Sequence, residues 1–180
     1  MRATALVTTL SSAPPAALQT AQSRDAVVGE LFDEHASGLY RLALAMLHEP
    51  AAAQDVVQDT FLKLIAHVDA GGALPNARGW LYTVAAHACR DRQRGLGRWL
   101  PWIADRDSRA AREAPDLNDA ASAVRAAIRT LAPRDRMLIA LRAQGFSYRE
   151  IGEAAGIRSA SVGQLLARAL DRLEKKLGPI

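Results

Sequence analysis

Cysteine is almost missing: the 180 residues include one, Cys89. A single thiol excludes an internal disulfide framework and points to a reducing compartment. Aromatic residues are scarce at 5%, which argues against strands, where aromatic and β-branched side chains concentrate. No apolar run reaches the ~20 residues of a membrane-spanning helix. Residues Met1 to Gln22 carry Arg2 as their one charge and include Ala13-Pro14-Pro15-Ala16. Without a basic start and a long apolar run they do not fit a signal peptide, and residues 1–23 read as a disordered leader. His35, His48, His67 and His87 have no metal-ligand spacing, and no Gly-rich phosphate loop or G-x-S-x-G elbow is present. Cys89 stands two residues from His87, and an i, i+2 pair faces different sides of a helix. These absences argue against an enzyme and imply neither cofactor nor metal.

What is present favours helix. Hydrophobic residues make up 49% and charged residues 23%, with alanine and leucine, both strong helix formers, prominent among the apolar ones. The net charge of +4 is unevenly spread. Residues 24–76 hold eight acidic and three basic side chains, residues 77–112 three and eight, and residues 116–180 seven and eleven. An acidic segment followed by basic ones fits one protein-facing and one nucleic-acid-facing surface; ordinary solvated helix faces fit it as well.

Periodicity sets the organisation. Val28, Leu31, Phe32, Leu39, Leu42, Ala43 and Met46 recur at three- and four-residue steps from about Asp25. Pro50 suits the first turn of a second helix with the stripe Val56, Val57, Thr60, Phe61, Leu64 and Ile65. A Gly- and Pro-containing loop from Asp69 to Asn76 precedes a third helix. It has Trp80, Leu81, Val84, Ala85 and Ala88 on one face and a basic end, Arg90, Arg92 and Arg94. Residues 24–94 therefore read as one small helical domain. Gly95, Gly97, Pro101 and Pro115 punctuate a charged stretch, so residues 95–118 read as a flexible linker, with Trp99 and Trp102 packing back on a domain face. Residues 119–178 read as a second helical domain. In it Pro133 opens a helix that Gly145 stops, and Ser147 and Glu150 have capping-box spacing. A short helix ending at Gly156 and a longer one from Ser159 then make a helix-turn-helix. The fold class is all-α, two small helical domains joined by a linker.

In that motif Ile151, Ala155, Ile157, Val162 and Leu166 can fix the angle between the two helices. The start of the second helix is then free for the major groove, with Arg158, Ser159, Ser161, Gln164 and Arg168 outward. Arginine contacts phosphates or guanine, and glutamine pairs bidentately with adenine.

The segment Leu131-Ala-Pro-Arg-Asp-Arg-Met-Leu-Ile-Ala-Leu-Arg142, followed by Gly145-Phe-Ser-Tyr-Arg-Glu-Ile-Gly152, resembles the promoter-reading C-terminal domain of extracytoplasmic-function sigma factors of the sigma-70 family. Asp55-Val-Val-Gln-Asp-Thr-Phe-Leu-Lys-Leu64 resembles that family's polymerase-docking helix. Gly79 to Arg94 resembles its helix that melts and reads the minus-ten element. The resemblance runs from about Glu30 to Leu177 in the family's order. It implies a subunit that binds core RNA polymerase, through the clamp helices of the largest subunit and the flap of the second largest. It also implies promoter DNA and an anti-sigma factor as partners, and a cytoplasmic protein with no membrane insertion.

Residue by residue, it places Asp55, Gln58, Asp59, Phe61 and Leu62 on polymerase. The minus-ten element falls to Asn76, Arg78, Trp80, Tyr82, Arg90, Arg92 and Arg94. Arginines there hold strand phosphates and aromatics receive unstacked bases; Trp80 is equally readable as core. The minus-thirty-five element falls to Tyr148, Arg149, Arg158, Ser159, Ser161, Gln164 and Arg168. One departure stands out: Gly163, Gln164 and Leu165 replace the basic residue, serine and arginine usual in the family. The competing reading is a helix-turn-helix regulator that acts without core polymerase, which leaves the Asp55–Leu64 segment unexplained.

Overall fold

Proline, glycine and one serine–glutamate pair set most of the helix boundaries. A computed structural model describes residues 16–99 and 119–177, and among them are seven α-helices and no strand. These are α1 (Ala16–Leu47), α2 (Pro50–Asp69), α3 (Ala77–Trp99), α4 (Asp119–Arg129), α5 (Pro133–Ala143), α6 (Tyr148–Ala155) and α7 (Ser159–Leu177). Pro50 and Pro133 open α2 and α5, where a missing N–H breaks no helical bond. The Asn76 side chain caps α3 by accepting the Gly79 N–H at 2.9 Å. Ser147 and Glu150 form the full capping box of α6, with the Ser147 N–H donating to Glu150 Oε2 at 2.9 Å. The Ser147 hydroxyl, donating to Glu150 Oε2 at 2.6 Å, and this backbone bond hold the Glu150 carboxyl below the usual carboxylate range. Gly156 ends α6 in the left-handed region at φ 68°, and the Ile157 N–H reaches back to the Gly152 carbonyl at 2.9 Å.

Two boundaries differ from the sequence reading. Helix α1 begins at Ala16, inside the stretch read as a leader, and α3 runs through Gly95 and Gly97 to Trp99, inside the stretch read as linker. Residues 100–118, with Trp102, lie outside the described residues. His48 ends α1 at φ 61°, a conformation that disfavours a residue with a Cβ.

Helices α1, α2 and α3 pack on one another, as do α4 to α7. Leu39, Leu42, Met46, Val56, Leu64 and Leu81 are fully buried in the first unit, and Leu138, Leu141, Phe146, Ile151 and Val162 in the second. Each such side chain contributes roughly 2 kcal/mol of apolar burial. In the second unit Asp135 is 2% exposed and accepts from Arg172 at 2.6 Å, tying α5 to α7. Phe32, read as part of the core stripe, is instead 48% exposed, its ring 4.9 Å from that of Phe61.

The two units also pack on each other, through α1 with α5 and α3 with α6, and their buried residues form one continuous core. Gly38 shows how close the junction is. A Cβ at this position would collide with the hydroxyl of Tyr82, which is itself buried. Gly38→Ala should therefore lower stability by about 1–3 kcal/mol through overpacking, although alanine in an open helix position would raise it by about 1 kcal/mol. Urea unfolding followed by circular dichroism checks the sign.

Candidate nucleic-acid and protein interfaces

The first surface lies on α1 and α2. Asp55, Gln58 and Leu62 are exposed one helical turn apart, Leu62 at 56%. Gln58 and Leu62 line an apolar groove of about 420 Å³ together with Phe32, Tyr40, Val57 and Phe61. Phe61 is a buried wall of this groove rather than a projecting contact. Asp59 is drawn aside, accepting from Arg92 at 2.7 Å, whereas Asp55 has no ion pair among the described residues. Exposed Phe32 and Leu62 beside acidic and amide groups make an apolar patch with a polar rim, the anatomy of a protein interface.

The second surface was expected along the loop and α3, and the structure divides its residues. Asn76 is exposed and occupied as the α3 cap. Trp80 is half-buried, with its ring 5.2 Å from that of His67. Arg94 is exposed, 3.8 Å from Asp91. Arg92 is committed to Asp59. Tyr82, expected to offer aromatic surface, is 3% exposed, and its ring lies 4.7 Å from Phe146. Burial pushes its hydroxyl above the ordinary phenol range. Arg78 donates to the Gln144 carbonyl and lies over the Phe146 ring, 4.1 Å from its centre. Arg90 donates to the carbonyls of Ala155 at 3.0 Å and Ala154 at 3.4 Å. Three of the seven residues expected at the minus-ten element thus face the second unit.

The third surface is the helix-turn-helix. Arg158 in the turn and Ser159, Gln164 and Arg168 on α7 are exposed, and Ser161 is half-buried. Arg149 is exposed and pairs with Glu153 at 3.2 Å, a contact worth little in water. Tyr148 is 48% exposed, and a Cβ on Gly163 would lie 3.2 Å from its ring. Gly163, unexplained by helix propensity, therefore seats Tyr148 against α7. Gly152 was not singled out from the sequence. A Cβ there would lie 2.8 Å from the Ile157 carbonyl oxygen and 3.2 Å from Ser159 Cα, so this glycine sets the closeness of the turn.

Cys89 is fully buried, and burial pushes its thiol up to about 12. His48 is held down to about 4 by burial and by the nearby charges of Arg136 and Arg129. No cluster of His, Cys, Asp and Glu suited to a metal occurs among the described residues, and none of their helices is long and apolar enough to cross a membrane.

Comparison with known proteins agrees with this geometry. Residues 31–99 match the family model for sigma-70 region 2 and residues 121–173 that for sigma-70 region 4. The chain is 40% identical over 75 residues to the ECF RNA polymerase sigma factor SigL of Mycobacterium tuberculosis. That match takes in 41% of this chain and 42% of SigL, so it spans less than half of that relative. RNA polymerase sigma factor CarQ of Myxococcus xanthus is 32% identical over 158 residues, 84% of this chain and 89% of CarQ. The chain belongs to the sigma-70 family, in its extracytoplasmic-function group. Region 2 thus comprises most of α1 with α2 and α3, and region 4 takes in α4 to α7. The sigma factor RpoE of Bartonella quintana, solved in complex with the anti-sigma factor NepR, has the same fold, with a TM-score of 0.66. It is 24% identical, and the alignment covers 83% of this chain and 95% of RpoE.

Proposed function

We propose that this sigma factor binds core RNA polymerase and directs it to a defined set of promoters. The observation that carries the reading is the pairing, in one chain, of an open apolar and acidic face on α1 and α2 with a helix-turn-helix whose reading side is free. A regulator acting alone has no use for the first. Asp55, Gln58 and Leu62 with the groove beside them dock on the clamp helices of the largest subunit, and region 4 meets the flap of the second largest. Asp59 acts by holding Arg92, and Phe61 by shaping the groove.

Region 2 then opens the minus-ten duplex. Asn76, Trp80 and Arg94 are accessible on the loop and α3, Arg92 lies in its pair with Asp59, and Arg78, Tyr82 and Arg90 join them when region 4 moves away. Region 4 reads the minus-thirty-five element. Arg158, Ser159, Gln164 and Arg168 face the groove, with Ser161, Tyr148 and Arg149 at the margins. The protein works in the cytoplasm as a binding subunit, without catalytic groups, cofactor or metal of its own. An anti-sigma factor, the kind of partner present in the RpoE structure, restrains it.

Purified chain and core polymerase incubated on genomic DNA test the reading. Transcripts starting at discrete sites are expected, and protected DNA without initiation would instead mark a stand-alone regulator. Within this reading Gln164→Ala or Arg158→Ala is expected to shift the set of start sites and to weaken promoter binding about 5- to 150-fold, since a good base contact is worth about 1–3 kcal/mol. Affinity for free core polymerase should stay unchanged, as a binding titration with labelled protein checks.

A further inference from the structure

One residue holds the loop between α2 and α3 from two sides. His67, in the last turn of α2, accepts the Gly72 N–H on its own carbonyl at 2.9 Å. Its ring places Nε2 3.2 Å from the Ala73 carbonyl oxygen. A carbonyl can only accept, so an Nε2–H donates there, and backbone and side chain of His67 close the same turn. The ring also pairs with that of Trp80, the centroids 5.2 Å apart and the planes tilted by 33°, within the range of a favourable aromatic pair.

Gly72 completes the arrangement. Its φ is not positive, unlike that of Gly71 at 74°, so the backbone does not require glycine at this position. The His67 ring does. A Cβ on Gly72 would stand 2.3 Å from His67 Cε1 and Nε2, so the ring rests directly on the bare backbone. His67 itself is half-buried and is no part of the apolar groove on α1 and α2.

An unstacked base binds best to an aromatic surface that is already in place, because ordering that surface on binding is subtracted from affinity. Trp80 is half-buried on α3, and Asn76 stands at the end of the loop as the helix cap. His67 touches the first and closes the loop that leads to the second. We infer that His67 is a positioning residue for the minus-ten element, fixing the Trp80 ring and the loop 70–76 in the shape that selects among bases. This inference rests on the reading of α3 and the loop before it as the minus-ten surface.

The test uses holoenzyme assembled from core polymerase and the full chain, on one promoter randomised across its minus-ten element. Sequencing the transcripts gives the preference at each base position. His67→Ala is expected to flatten discrimination at one or two positions by about 2- to 12-fold, the range that such an aromatic pair is worth. Affinity for core polymerase and dependence on the minus-thirty-five element should stay at wild-type levels, because those surfaces lie elsewhere. His67→Phe keeps a ring against Trp80 and should recover most of the discrimination. Gly72→Ala is the independent arm. Its methyl group pushes the ring off Trp80 with His67 still present, so it should reproduce His67→Ala, and the double variant should lose nothing further.

An unchanged preference profile in His67→Ala would overturn the assignment. So would a fall in transcription that is equal for every sequence, or two losses that add in the double variant. Failure of the underlying reading looks different. Trp80→Ala and Asn76→Ala would then also leave the minus-ten profile unaltered, and the role of His67 would fall with theirs.

Discussion

Asp55→Lys combined with Leu62→Ala should weaken binding to core RNA polymerase by at least about 100-fold, equivalent to about 2.7 kcal/mol, with little change in thermal stability. Both side chains are exposed, and Asp55 has no ion pair among the described residues, so the folded chain loses almost nothing with them. An exposed leucine at the lip of an apolar groove is the kind of anchor that carries interface energy. A reversed charge beside it adds repulsion against a complementary partner. Asp59→Lys makes a poorer probe, because it also breaks the 2.7 Å bond to Arg92 and forces two cations together between α2 and α3. Fluorescence anisotropy against core polymerase, with a circular dichroism melt of each variant, separates the two effects. Unchanged polymerase affinity in the Asp55 and Leu62 double variant would remove the docking role from this face.

The parts of the molecule legible in the sequence are those set by near neighbours. Pro50, Pro133, Gly145, Gly156 and the Ser147–Glu150 pair act within one turn of the chain, and the structure places each at the boundary that its chemistry demands. Helix α1 starts earlier than read because Ala16 to Gln22 lack charge, although their alanine, leucine and glutamine are good helix formers. Helix α3 overruns Gly95 and Gly97 because one glycine costs a helix only about 1 kcal/mol.

The candidate site was legible in outline, and its division between accessible and occupied residues was not. Arg78 with Gln144, Arg90 with Ala155 and Tyr82 with Phe146 join residues more than sixty positions apart, and no local pattern pairs them. One signal was present. Tyr82, Ala85, Ala86 and Cys89 form a second stripe at three- and four-residue steps, alongside Leu81, Ala85 and Ala88. A helix apolar over so wide an arc is covered on more than one side, and the far side of α3 is covered by region 4.

The two glycines of the helix-turn-helix should respond in opposite ways to an added side chain. At Gly152 the obstacle is backbone, the Ile157 carbonyl at 2.8 Å and the Ser159 Cα at 3.2 Å, neither of which can swing aside. Gly152→Val must push α6 and α7 apart at the turn, where Ile151, Val162 and Leu166 are packed. The expected loss is about 3 kcal/mol or more, the upper end of overpacking effects. A unit of this size holds only about 3–9 kcal/mol in all. Region 4 should then be partly unfolded at 37 °C and minus-thirty-five binding lost, while the polymerase-docking face of region 2 keeps its affinity. At Gly163 the obstacle is the Tyr148 ring at 3.2 Å, on a side chain that is half exposed and free to tilt. Gly163→Ala gains about 1 kcal/mol of helix propensity against a small displacement of that ring, so stability should hold or rise. Urea unfolding of the two variants beside the wild type reads the contrast directly. A Gly152→Val chain as stable as Gly163→Ala would mean that the turn between α6 and α7 does not set the height of the recognition helix.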